Sequence, residues 1–274
     1  MARGRKLEKL SDFNRSLKNK YGIGEGVDYK PWLRVQDVKS KKGQRTQVWG
    51  RKTGREHHLL SSIESQFFYL AEFSDSVVDI REQFPLLPLN LSQKIAATLG
   101  VEHPTVPYSA EPNIMTTDFL LTCRQGGREF YRAISVKPED GIDQRTAEKM
   151  DIERIWWELL GVEFLFFTGN ETTKAQSTNI QWATSPFRAG IQTYSPSQVE
   201  AALAILEPGK HLLFDLCEKL VSMLQCRSED GLNIVRYMIA EKWIDVDLNY
   251  SIESFGGVDI LSVNLEKRQV SNGD

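Results

Sequence analysis

Alternating apolar and polar positions are clearest over residues 115–123 and 130–137, which flank Gly126 and Gly127 and predict a β-hairpin. With the two glycines as the turn, paired positions sum to 253, so Asp118 falls opposite Ser135 and Thr116 opposite Lys137. Asp118 and Lys137 then share one sheet face as diagonal neighbours, roughly 7–8 Å apart. Upstream, apolar residues at 60, 63, 67, 70 and 71 recur at helical spacing and predict a helix over 57–73. Residues 76–87 read as a strand ended by Pro85, and 88–112 as a long excursion rich in proline and small residues. A helix over 143–160 and a buried, almost continuously apolar strand over 162–168 follow the hairpin. Strands joined by helices in this order predict an α/β fold with a mixed sheet.

From residue 195 the pattern changes. Helical stretches at 195–206, 211–225 and 229–242 precede alternating runs at 243–249 and 258–263, which predicts a small winged-helix domain. The expected organisation is a basic segment over 1–26, an α/β domain over 27–170, a linker over 171–194 and the winged-helix-like domain over 195–274. Such a module reads DNA or docks a protein, and its mildly acidic balance leaves both uses open.

Composition narrows the class. At 274 residues and 41% hydrophobic the chain buries a real core. No apolar run approaches the ~18 residues of a membrane span and no secretory signal opens the chain, so a cytoplasmic protein is expected. The three cysteines are odd in number and lack CxxC spacing, which supports neither a disulfide framework nor a zinc site. GxGxxG in a strand-to-helix context and GxxxxGK[ST] are absent, which argues against a nucleotide-binding core.

The formal net charge of −3 conceals an asymmetry: residues 1–55 hold 16 Lys and Arg against 5 Asp and Glu. Lys30, Arg34, Lys41, Lys42, Arg45, Arg51, Lys52 and Arg55 lie among Tyr29, Trp32 and Trp49. Basic residues interleaved with aromatics suit a nucleic-acid backbone; a solvated tail and core-anchoring tryptophans are the plainer alternatives.

Three side chains carry the candidate chemistry. Asp118 and Lys137 form either an ordinary cross-strand ion pair or one half of a site where a carboxylate holds a metal beside an ammonium. Glu64 lies at the edge of an apolar helix face, where a carboxylate costs free energy unless something positive meets it. That makes it either a metal ligand or an edge-of-face glutamate. His57 and His58, adjacent on the expected helix, point about 100° apart and read as positioning or core residues. Glu153 reads first as a solvated helix-face residue and second as a partner behind the site.

Five motifs now stand in order: Tyr29-Lys-Pro-Trp-Leu, Thr53-Gly-Arg-Glu-His-His-Leu-Leu-Ser-Ser-Ile-Glu64, Asp79-Ile-Arg-Glu-Gln-Phe-Pro-Leu, Met115-Thr-Thr-Asp-Phe and Val136-Lys-Pro. Together they resemble TnsA, the endonuclease subunit of heteromeric bacterial cut-and-paste transposases, from about Tyr29 to Phe167. The resemblance implies a restriction-endonuclease-like catalytic core that nicks the 5′ ends of a transposon while a TnsB-like transposase cuts the 3′ ends. It implies a TnsC-like ATPase regulator as a further partner. Glu64, Asp118 and Lys137 match the family's catalytic Glu, Asp and Lys. Glu64 and Asp118 would hold Mg²⁺, with Mn²⁺ able to substitute and with room for a second ion in a two-metal site. The family carries Gln two residues before the Lys; Ser135 stands there instead, and the backbone carbonyl of Val136 or a water would take over. The rival reading is a non-catalytic DNA-binding or scaffold subunit, against which the intact Glu64, Asp118 and Lys137 set argues.

Overall fold

The computed structural model describes residues 4–38, 44–138, 141–188 and 194–264. Lys41 and Lys42 lie outside them. The chain divides into two compact units, 1–169 and 170–274.

The first unit opens on a helix, α1 (Leu10–Lys18), whose Phe13 packs against Trp32 with ring centroids 6.1 Å apart. Phe13, Trp32, Val106 and Ile114 form one buried cluster, with Leu7 and Leu17 against it. The described part of the basic segment is therefore fastened to the rest of the first unit, through the apolar residues that pack against Trp32.

A short hairpin follows: β1 (Thr46–Trp49) pairs antiparallel with β2 (Glu56–Leu59). The helix expected from residue 57 thus begins later, as α2 (Ser62–Phe73), capped by the Ser61 hydroxyl accepting from the Glu64 amide. His57 and His58 sit on a strand and are both buried. The buried residues of α2 are Glu64, Phe68, Tyr69, Ala71 and Glu72, while Ile63, Phe67 and Leu70 of the expected face are half-buried.

The central sheet has four strands in the order β3 (Val77–Pro85), β4 (Thr116–Gln125), β5 (Arg128–Val136), β6 (Glu163–Phe167). The first three are antiparallel and β6 runs parallel to β5. The β4–β5 register runs from Gln125↔Arg128 to Phe119↔Ile134, as the sequence pattern predicts. The turn needs its glycines, with φ +56° at Gly126 and +76° at Gly127.

Residues 88–112 are not a plain excursion, since they contain the helix α3 (Leu89–Leu99). It packs with α4 (Gln144–Leu159) through Ile95, Ala96, Ile152 and Trp156 onto Leu120 and Ala133 of the sheet. Phe67 of α2 meets Phe119 and Phe167. Neighbouring strand residues point to opposite faces, so α2 covers one face of the sheet and α3 and α4 the other. The last strand, β6, was expected to be buried on both sides; as an edge strand it leaves Leu165 and Phe166 exposed at 40% and 49%.

In the second unit, residues 171–184 expected as linker form α5 (Glu171–Thr184), capped by Asn170 accepting from the Thr173 amide. Then come α6 (Pro196–Leu203), β7 (Gly209–Leu212), α7 (Leu213–Leu224), α8 (Ser228–Ala240), β8 (Ile244–Val246), α9 (Ile252–Phe255) and β9 (Gly257–Val263). The three strands make one antiparallel sheet in the order β7-β9-β8. Strand β7, unexpected from the sequence, takes the start of the second predicted helix because residues 209–212 pair with 257–260. No helix among the described residues is long and apolar enough to cross a membrane.

Candidate active site

Glu64, Asp118 and Lys137 come together at the end of the sheet where β4 and β5 separate. Lys137 Nζ donates to Asp118 Oδ2 at 2.7 Å and to the Val136 carbonyl at 2.9 Å. The Val136 amide donates to the same Asp118 oxygen at 2.7 Å. Val136 therefore serves the site through its N–H as well as through a carbonyl. Glu64, in the first turn of α2, accepts from the Leu60 amide on Oε2 at 3.0 Å and from the Ser61 hydroxyl on Oε1 at 2.9 Å. The residue that caps the helix thus also aims its carboxylate.

Burial and the neighbouring Asp118 carboxylate push Glu64 up to about 7, with Leu60, Ser61 and Lys137 pulling partly back. Burial works against the charge on Lys137, but the contact with Asp118 outweighs it and raises its pKa. Two buried carboxylates held side by side against repulsion are the donor chemistry of a hard divalent cation. Among the described residues no group of three or more His, Cys, Asp or Glu side chains is placed to hold a metal ion, at this site or at any other.

One residue of the site went unread in the sequence, and for another the second of two readings holds. Gln83 of β3 reaches Glu64 and Asp118 with its carboxamide. Glu153, the expected solvated glutamate, is instead buried behind Ser135, because the α4 face that carries it also carries Trp156 and Trp157. Burial first, and then Asp118, push it up to about 8, against the pull of Thr117, Lys137 and Ser135. Ser135 is itself fully buried, and neither its hydroxyl nor Glu153 Oε1 has a partner in hydrogen-bond geometry. The Ser135 hydroxyl makes no hydrogen bond to Glu64 or Asp118.

Glu153 binds its proton more tightly in the folded metal-free protein than in the unfolded chain. Its contribution to stability therefore falls as pH rises from about 4.5 through about 8. Glu153→Gln is expected to flatten that fall, seen as a smaller loss of unfolding temperature between about pH 6 and about pH 9.

The basic residues fare unevenly. Arg55 is not a surface contact: it is 6% exposed, and its guanidinium donates to both Glu82 oxygens at 2.9 and 2.6 Å. Arg34 pairs with Asp37, Arg45 donates to the Val38 carbonyl, and Lys52 donates to the carbonyls of Ser74 and Val77. Arg51 is half-buried, while Lys30 is exposed with its ammonium 3.5 Å from the Asn19 carbonyl. Trp32 and Tyr29 are core residues, whereas Trp49 is exposed.

A mixed sheet between helices, with a glutamate on the helix before it and an aspartate and lysine on its central hairpin, defines a restriction-endonuclease-like nuclease core. Residues 74–169 match the family described as TnsA-like endonuclease N terminal. The whole chain is 34% identical over 264 residues to the transposon Tn7 transposition protein TnsA of Escherichia coli, covering 94% of this chain and 95% of that protein. The chain belongs to the TnsA family of transposition endonucleases.

Proposed function

We propose that this chain nicks the 5′ ends of a transposon during cut-and-paste transposition, by divalent-metal-dependent phosphodiester hydrolysis. The observation that carries the reading is the convergence of Glu64, Asp118 and Lys137 at one end of the sheet, with Lys137 Nζ 2.7 Å from Asp118. Glu64, Asp118 and the Val136 carbonyl would hold Mg²⁺. When bound, the ion neutralises the scissile phosphate and lowers the pKa of a water. Lys137 keeps its positive charge beside Asp118, orients the attacking water and stabilises charge developing on phosphorus. Val136 N–H and Lys137 fix one Asp118 oxygen, while Leu60 and Ser61 fix Glu64.

The partners of this reading are transposon-end DNA, a TnsB-like transposase that cuts the other strand and a TnsC-like regulator, met in the bacterial cytoplasm. We read the second unit, with its helices and its three-stranded β7-β9-β8 sheet, as a winged-helix-like module. Its residues from 170 onward hold 9 Lys and Arg against 14 Asp and Glu, which favours a protein partner over DNA there.

The test is strand-specific cleavage of end-labelled transposon DNA by the assembled transposase with Mg²⁺. Lys137→Ala is expected to lose the 5′ nick by about 10²–10³ in rate while the partner's 3′ cut persists. An undiminished 5′ nick sinks the assignment. For DNA contact, Lys30 is the exposed member of the basic set best suited to a phosphate. Lys30→Ala is expected to reduce the slope of log affinity against log salt by about 0.9, measured by fluorescence anisotropy across a salt series.

A further inference from the structure

Gln83 has no part in the chemistry above, yet it sits at the centre of the site. Its side chain is 3% exposed. Glu82 pairs with Phe119 and Phe84 with Thr117, so Gln83 lies opposite Asp118 between two regular strand pairs. Its backbone departs from the strand there, with φ +48°. A buried non-glycine residue keeps such a conformation only where its surroundings over-determine it, and such positions cluster at functional sites.

The surroundings are specific. Gln83 Nε2 donates to Glu64 Oε2 at 3.4 Å and to Asp118 Oδ1 at 3.3 Å, so one nitrogen spans the two carboxylates. The Thr116 hydroxyl donates to Gln83 Oε1 at 2.9 Å, which turns the amide nitrogen toward the carboxylates. The Trp32 amide donates to the Gln83 carbonyl at 3.2 Å and ties the backbone of this residue to the N-terminal part of the unit.

A neutral donor suits that place for a physical reason. A lysine or arginine there would make short charge-assisted bonds and cancel the charge that attracts a cation. A carboxamide lessens the repulsion between the carboxylates without neutralising them, and bonds of 3.3–3.4 Å lie beyond the usual range and are readily exchanged.

We propose that Gln83 is a positioning residue that holds Glu64 and Asp118 together in the metal-free protein and competes with the divalent cation for their facing oxygens. This rests on the reading of Glu64 and Asp118 as the cation site.

The test uses the full chain and Mn²⁺ binding measured by calorimetry, with thermal unfolding in the absence of metal. Gln83→Met keeps the side-chain length and volume but removes the amide. It is expected to bind Mn²⁺ roughly three- to tenfold more tightly than the parent, the exchange value of ordinary hydrogen bonds, while unfolding at a lower temperature without metal. A residue of merely structural importance would weaken both. Should the methionine variant fail to fold, Gln83→Asn tolerates the left-handed backbone but is a methylene too short to span both carboxylates, and the same tightening is expected. Unchanged or weaker Mn²⁺ binding in the folded variant overturns the proposal. Asp118→Ala separates the two readings. If that variant binds Mn²⁺ like the parent, the cation site itself is misplaced; if it loses Mn²⁺ while the Gln83 variant shows no tightening, Gln83 alone is misread.

Discussion

Asp118→Ala is expected to abolish 5′-strand cleavage while leaving the fold and assembly with the partner transposase intact. Asp118 accepts from the Val136 amide, the Lys137 ammonium and the Gln83 carboxamide. Removing it takes away a metal-ligand oxygen and leaves Lys137 without its counter-charge, so the rate should fall by at least about 10²–10³. The stability cost should be small, since the alanine also relieves the repulsion that raises Glu64. Single-turnover cleavage of labelled transposon ends measures the first effect and circular dichroism the second. Cleavage at the parent rate would exclude Asp118 from the chemistry.

The largest effect on stability is expected at Glu82. This carboxylate is fully buried and accepts from Arg55 at both oxygens, from His57 Nδ1 at 2.8 Å and from the His58 amide at 3.0 Å. His57 in turn meets the Thr53 hydroxyl at 2.7 Å through Nε2. A Cβ at Gly50 would stand 2.5 Å from that same ring nitrogen, so the turn of the β1–β2 hairpin must carry glycine there. Glu82→Gln leaves the Arg55 charge buried beside a neutral amide and is expected to cost about 3–5 kcal/mol. Denaturant unfolding should show a lower midpoint with an unchanged slope.

The pH dependence follows the same cluster. Burial alone would raise the Glu82 pKa, yet His57 and Arg55 hold it well below its ordinary 4.5. Its stabilisation is therefore complete above about pH 4.5 and is lost as pH falls through the depressed folded value. Acid unfolding of the Gln variant should lack this contribution.

Much of the catalytic core was legible because its signals are local. The Gly126-Gly127 turn and period-two alternation specify the β4–β5 register without help from the rest of the chain. The helix expected over 143–160 is α4, which begins behind its cap Asp143. The failures share a different cause. Residues 57–59 read as the start of a helix because their strand exists only through pairing with residues 46–48. The helix α5 was missed because its buried side includes Ser177, Asn179 and Thr184, which a hydrophobic-periodicity reading scores as solvent-facing. Its Asn170 and Thr173 capping box was the available signal.

The site divides along the same line. Glu64, Asp118 and Lys137 stood out through their motifs. Gln83 did not, and Glu153 reads first as solvated, since nothing in the local pattern says that a glutamine on a strand or a glutamate on a helix will be buried. That is decided by Thr116, by Trp157 and by the packing of α4.

The hydrogen bond from Trp32 to Gln83 also bears on how the protein can be divided. A fragment cut to residues 74–169 would keep Asp118 and Lys137 but lose Glu64, Arg55 and the Trp32 amide. Glu82 would then be buried without its cation and Gln83 would lose its backbone tether. The smallest fragment that keeps this packing must therefore reach back beyond Trp32 to the helix that covers it.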